Sequence, residues 1–228
     1  MQATYLIGSL IAFVIWLVLF LFRKDTRKEM IVLSLLMMIF GAIMETFVWT
    51  KDWWRPVTIT GTLLGPEDFI FGFSMGGICS VIYEELFRKT HAERRNRTEH
   101  RHHARLIAFI VGLIVIVGCF SAFVLRLNSA ESWTLSTIVA ITAIWIVRRD
   151  LIIPSLLTGA IITSFAFLGF FILNLIQPNF VYHWWLLKDL TGVVILGVPS
   201  EDIIWFFTMG AFIGPIYELW QGTRLRNI

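Results

Sequence analysis

The sequence predicts an all-α integral membrane protein: seven transmembrane helices laid out as two parallel three-helix repeats joined by a lone fourth span, a 3+1+3 pattern. Three observations predict it. The chain of 228 residues is 57% hydrophobic, with a mean hydropathy of +0.76, and its charges sit in clusters between long apolar runs, which excludes a soluble domain. Lys and Arg concentrate in alternate loops. Finally, Pro66 to Glu84, PEDFIFGFSMGGICSVIYE, returns near the C-terminus as SEDIIWFFTMGAFIGPIYE, Ser200 to Glu218.

The offset is 134 residues at both ends (201 − 67 = 218 − 84). Among the matched pairs Glu67/Glu201, Asp68/Asp202, Met75/Met209, Gly76/Gly210, Tyr83/Tyr217 and Glu84/Glu218 are identical. Shared hydrophobicity explains coincident Ile and Phe, but not acidic residues, Gly and Tyr at the same places.

About twenty apolar residues cross a bilayer as helix, and that ruler predicts spans at roughly 4–22, 30–50, 66–87, 105–126, 133–148, 151–175 and 200–220. Repeat one covers about 4–90, the linking span about 105–126 and repeat two about 133–222, so residues 1–228 form a single membrane domain. The first span reads as an anchor rather than a cleaved signal, because Arg23, Lys24, Arg27 and Lys28 follow it and no basic residue precedes it. Basic clusters at 23–28, 88–105, 148–149 and 224–226 fall on one side, which puts the N-terminus outside and the C-terminus in the cytoplasm of an integral cell-membrane protein. Arg148-Arg149-Asp150 leaves only a tight turn between spans five and six. Cys79 and Cys119 lie in apolar spans and read as small core residues, without disulfide or metal spacing. The basic loop with His100, His102 and His103 reads as a solvated, lipid-facing segment, and nothing in it supports nucleic-acid binding.

The candidate chemistry lies at the repeated helix starts. Glu67-Asp68 and Glu201-Asp202 each follow a proline, Pro66 or Pro199. Singly, such pairs cap a first turn and complement the helix dipole. Together, four carboxylates at equivalent places facing one cavity would set a general acid beside a base or charge stabiliser. One turn further in, the helical period places Phe71, Ser74 and Met75 in one copy and Trp205, Thr208 and Met209 in the other. This stripe is either core packing or the wall of a water-poor aromatic pocket, whose ring faces stabilise a cation without offering it a nucleophile. Glu45 is a further candidate, since a carboxylate at a helix centre costs roughly 2.5 to 3.5 kcal/mol; the alternative is a side chain snorkelling to the surface. Trp53-Trp54 and Trp184-Trp185 read as an outer aromatic belt, or as lids on the pocket. Tyr83-Glu84 and Tyr217-Glu218 read as headgroup anchors at the inner helix ends. Gly72-x-x-x-Gly76 and Gly210-x-x-x-Gly214 favour close helix approach, expected between spans three and seven.

Two copies of Pro-x-Glu-Glu/Asp-like motifs in a seven-span chain resemble the lycopene cyclase domain family, the membrane-integral carotenoid cyclases, in their fused form. Pro199-Ser200-Glu201-Asp202 fits the motif as it stands, whereas in Gly65-Pro66-Glu67-Asp68 the proline directly precedes the glutamate. The resemblance implies a general shape similar to microbial rhodopsins, although residues 200–220 contain no lysine for retinal. It implies carotenoid biosynthesis: acid-catalysed cyclisation, without a cofactor or metal, of the ends of lycopene or another long isoprenoid entering from the membrane lipids. The catalytic residues would then come from Glu67, Asp68, Glu201, Asp202 and Glu45, with Phe71, Ser74, Met75, Trp205, Thr208 and Met209 against the substrate. The competing classes are a small transporter with its site at the repeat interface, and a non-catalytic carotenoid- or lipid-binding membrane protein.

Overall fold

The computed structural model describes residues 3–92 and 100–227. Helix α1 spans Thr4–Phe22 and α2 spans Arg27–Met44, continuing through a π-helical turn at Glu45–Trp49 and a last turn at Thr50–Asp52. Then come α3 (Pro66–Leu86), α4 (His100–Phe123), α5 (Ser129–Val147) and α6 (Ile152–Ile176). Helix α7 runs Ser200–Ile213 and resumes as Ile216–Gln221 beyond Pro215. Among the described residues, seven helices are thus long and apolar enough to cross a membrane, as the hydropathy predicts.

Local chemistry sets the boundaries. Helix α5 begins four residues before its apolar run because Asn128 caps it: Glu131 N–H donates to the Asn128 side chain at 2.9 Å, and Asn128 N–H donates to Glu131 Oε2 at 3.2 Å. Arg148 to Asp150 form the tight connection, a 3₁₀ turn at Arg149–Leu151 leading directly into α6. The Arg148 guanidinium grips Asp150 at 2.8 Å.

Burial separates the helices into central and peripheral. The apolar windows of α3 and α7 are each 61% buried inside the molecule, and that of α4 only 11%. Helices α1 and α2 pack on α3, α5 and α6 pack on α7, α4 rests against α5, and α3 touches α7. The outward surface stays apolar, with Phe22, Leu21, Phe123, Ile146 and Ile116 exposed, as a face solvated by lipid chains requires.

The glycine motifs work inside each half rather than between the halves. A Cβ at Gly76 would lie 2.5 Å from the Leu33 carbonyl of α2, and one at Gly72 3.1 Å from the Met37 carbonyl. On the other side Gly210 faces Gly159 and Ile162 of α6, and Gly214 faces Thr158. The expected contact between spans three and seven is therefore a contact of α3 with α2 and of α7 with α6. Small residues let those backbones close up.

Short strands complete the chain. β1 (Lys89–Ala92) pairs antiparallel with β4 (Arg224–Asn227), and β2 (Val194–Ile195) with β3 (Val198–Pro199) around Leu196 and Gly197, both at positive φ.

Candidate functional site: an acid-edged aromatic cavity

The connections entering α3 and α7 meet over the helix starts. Trp54 and Trp185 form an isolated antiparallel bridge: Arg55 N–H donates to the Trp184 carbonyl at 2.6 Å and Leu186 N–H to the Trp53 carbonyl at 2.8 Å. The two bonds exchange under a twofold rotation about the bridge. This pins both Trp pairs inside the molecule, with Trp53, Trp184 and Trp185 buried. The tryptophans are a roof over the site rather than a lipid-facing belt.

Beneath this roof is a cavity of about 180 Å³ lined by parts of α1, α2, α3, α6 and α7. Its wall is aromatic. Trp49, Trp53 and Trp205 stand edge to face, with ring centroids 5.7 to 6.0 Å apart. Tyr5 meets Trp54 at 5.4 Å, and Phe170 meets Trp185 at 5.3 Å. The indole nitrogens of Trp49, Trp184 and Trp205 are buried without a hydrogen-bond acceptor among the described residues.

Three carboxyl groups reach the cavity wall: Glu45, Asp68 and Asp202. Asp68 is held at both oxygens, accepting from Tyr5 OH at 2.7 Å and from Gly65 N–H at 2.7 Å. Asp202 Oδ2 accepts from Trp185 Nε1 at 2.6 Å and from Trp53 Nε1 at 3.4 Å, so each half of the chain contributes an indole to it. Glu45 Oε2 accepts from Trp54 Nε1 at 3.0 Å, while its Oε1 is buried without a hydrogen-bond partner among the described residues. The π turn puts Glu45 there. Glu45 and Trp49 are both buried within this turn, and Thr50 Oγ closes it on the Glu45 carbonyl at 2.9 Å.

Of the residues expected to carry chemistry, Glu45, Asp68, Asp202, Phe71, Met75 and Trp205 line this cavity. Glu67 and Glu201 point away, toward the loops. Glu67 Oε1 accepts from Ile59 N–H at 2.5 Å and Glu201 Oε1 from Thr191 N–H at 2.7 Å, with Ser200 Oγ donating to Glu201 Oε2 at 3.1 Å. Ser74 and Thr208 donate to the Ile70 and Ile204 carbonyls of their own helices, and Met209 is packed in the core. Sequence reasoning missed Tyr5, Trp49, Phe170, Phe180 and Phe206. Trp49 had a signal, four residues after Glu45 on one helix face; Tyr5 had none, because its partner is 63 residues away.

Fold and site together define a seven-helix membrane protein that holds three carboxyl groups against a largely apolar, aromatic-lined chamber. Residues 3–86 and 128–220 match the model of the lycopene cyclase family, and the chain belongs to that family. Membership places it in carotenoid biosynthesis, with a polyene isoprenoid substrate in a membrane setting. No curated protein and no solved structure matches the chain.

Proposed function

We propose that the protein cyclises an end of lycopene or a related linear polyene by proton transfer alone, as an intramolecular lyase or isomerase. The observation that carries this reading is the convergence of Glu45, Asp68 and Asp202 on one chamber walled by Tyr5 and the rings of Trp49, Trp53 and Trp205. A carboxyl group adds a proton to the terminal double bond; the cation closes on the neighbouring alkene; a neighbouring carboxylate removes a proton from an adjacent carbon. Atoms and electrons balance, so the product is an isomer and the reaction needs no redox equivalent.

The roles divide by contact. Glu45 lines the chamber, and its Oε1 has no hydrogen-bond partner among the described residues; Asp202 is engaged through one oxygen by two indoles. These two are the proposed proton donor and acceptor. Asp68, held at both oxygens, is the proposed charge stabiliser beside them. Phe71, Met75 and Trp205 shape the chamber against the substrate, while ring faces replace water around the cation. Glu67 and Glu201 are positioning residues that tie down the loops carrying Ile59 and Thr191.

We also infer that the bundle is a duplicated 3+1+3 unit. The reciprocal Trp54/Trp185 bridge, the matching Glu67 and Glu201 loop clamps, and the packing of α1 and α2 on α3 as α5 and α6 pack on α7 all support this. Basic residues at 23–28, 148–149 and 224–226 support an outside N-terminus and a cytoplasmic C-terminus. The chamber then opens in the outer half of the bilayer. A transporter is disfavoured by the hydroxyls of Ser74 and Thr208, which are spent on their own helices rather than offered to a polar cargo.

The test is expression in a lycopene-accumulating bacterium with chromatography of the extracted pigment. The reading predicts a new cyclic carotenoid with the wild type and its loss with Asp202→Asn. Lycopene that co-purifies with the protein unchanged would instead identify a binding protein.

A further inference from the structure

A second cluster lies at the opposite ends of α3 and α7. Glu84 follows Asp68 by sixteen residues on one helix, about 24 Å along the axis at 1.5 Å per residue, so this cluster is independent of the chamber. Glu29 of α2, Glu84 of α3, Glu218 of α7 and His91 of β1 each bring one ligand atom within 4.8 Å of the others. His91 Nε2 lies 3.3 Å from Glu218 Oε1, 3.5 Å from Glu29 Oε2 and 3.7 Å from Glu84 Oε1. The Tyr-Glu pairs are thus not headgroup anchors at their glutamates, which are turned inward and 1 to 2% exposed.

Burial makes the arrangement costly unless something neutralises it. Buried charges are paired or coordinate metals. Glu29 is 1% exposed, is aimed into the cluster, and has no hydrogen-bond partner at either oxygen among the described residues. Glu84 Oε2 and Glu218 Oε2 are likewise without one. Arg23 and Arg148 reach this layer but donate to the backbone carbonyls of Glu84, Glu218 and Thr223. Their ion pairs go to Asp25, Glu85 and Asp150.

From this geometry we propose that Glu29, Glu84, Glu218 and His91 bind one divalent first-row transition-metal ion, of the zinc or manganese kind, which staples α2, α3, α7 and the β1/β4 ribbon. The spacings fit. Ligands about 2.1 Å from a tetrahedral centre are about 3.4 Å apart, and the three distances from His91 Nε2 are 3.3, 3.5 and 3.7 Å. An imidazole with three carboxylates favours zinc or manganese over magnesium or calcium. Four protein ligands close the site, which makes it structural rather than catalytic. The β1/β4 pairing, with His91 opposite Leu225, delivers the imidazole after α3 ends.

The experiment uses untagged full-length protein in detergent, stripped with a chelator and then titrated with Zn²⁺ or Mn²⁺. Bound metal is measured by elemental analysis and by manganese paramagnetic resonance, and unfolding by tryptophan fluorescence. One ion per chain is expected, with a thermal midpoint that falls on stripping and returns on refilling. Glu29→Gln and His91→Gln should each weaken binding at least tenfold. Glu85→Gln should retain it, as should the combined replacement of His100, His102 and His103 by Asn. Substoichiometric binding, unchanged binding in Glu29→Gln and His91→Gln, or equal competition by Mg²⁺ would overturn the assignment. Loss of binding on replacing the three loop histidines would also overturn it.

Discussion

Adjacent carboxylates in one helical turn do different work here because successive residues are rotated by about 100°. Asp68 and Asp202 turn inward to the chamber, whereas Glu67 and Glu201 turn outward to the loops they hold. Changing Asp202 to Asn keeps the shape but removes the transferable proton, so product formation should fall by about 10² to 10⁴, the range for a positioned acid or base. Glu45→Gln should do the same if Glu45 is its counterpart, read by pigment yield per membrane-bound protein. Glu201→Gln keeps an oxygen for the Thr191 amide and trades a charged acceptor for a neutral one, a change of about 1 kcal/mol. Its yield should fall no more than about fivefold. A drop as deep as that of Asp202→Asn would put Glu201 among the groups that touch substrate. Trp185→Phe leaves a ring in the roof but deletes the 2.6 Å bond to Asp202, so a loss between those two is expected. The pattern of acids was legible in the sequence, since duplication marked all four. Which pair faces inward was not, because that depends on where the loops at Ile59 and Thr191 return.

Helix contacts carry the next level. At Gly76 the missing Cβ is replaced by the Leu33 backbone carbonyl at 2.5 Å, and backbone cannot move aside as a flexible side chain does. Gly76→Ala should therefore destabilise the α2/α3 pair by about 1 to 3 kcal/mol, the usual cost of overpacking, seen as a lower thermal midpoint in detergent. Gly41 lines the chamber with nothing within 4 Å of the position a Cβ would take. Gly41→Ala should be neutral or stabilising by up to about 1 kcal/mol through helix propensity. Span positions were readable from hydropathy, and the turn at Arg148 to Asp150 from its three charged residues. The partner of each glycine motif was not readable, since small-residue spacing states that helices approach closely without saying which helix arrives. The π turn at Glu45–Trp49, where Glu45 is buried at the chamber wall, left no composition signal either.

Over the whole molecule, the residues before and after the fourth helix bring different groups to the chamber. Glu45 has no acidic counterpart on α6: Asn174 on that helix accepts from Asn179 N–H at 2.9 Å in the following loop. Tyr5 holds Asp68, while two indoles hold Asp202. The matching helix starts thus marked Asp68 and Asp202, which line one cavity, and the single-copy residues beside them stayed hidden because nothing in the sequence doubled them. The same asymmetry appears at the far end, where Glu84 and Glu218 are repeat partners and Glu29 and His91 are not. Removing metal should lower the midpoint of the whole bundle rather than fray one helix, since the four ligands lie on four elements. Product chemistry at the chamber, about 24 Å away along α3, should persist at temperatures below the lowered midpoint.

The central claim, that buried carboxyl groups in an aromatic chamber cyclise a polyene by proton transfer, is tested most directly by the deuterium content of the product. Wild-type and Asp202→Asn proteins, quantified in membranes, would be supplied with lycopene in D₂O. The account predicts a cyclic product from the wild type carrying one deuterium per ring formed, and at least about a hundredfold less product from the variant. Cyclic product without deuterium, undiminished product from Asp202→Asn, or unreacted lycopene beside abundant wild-type protein would contradict it.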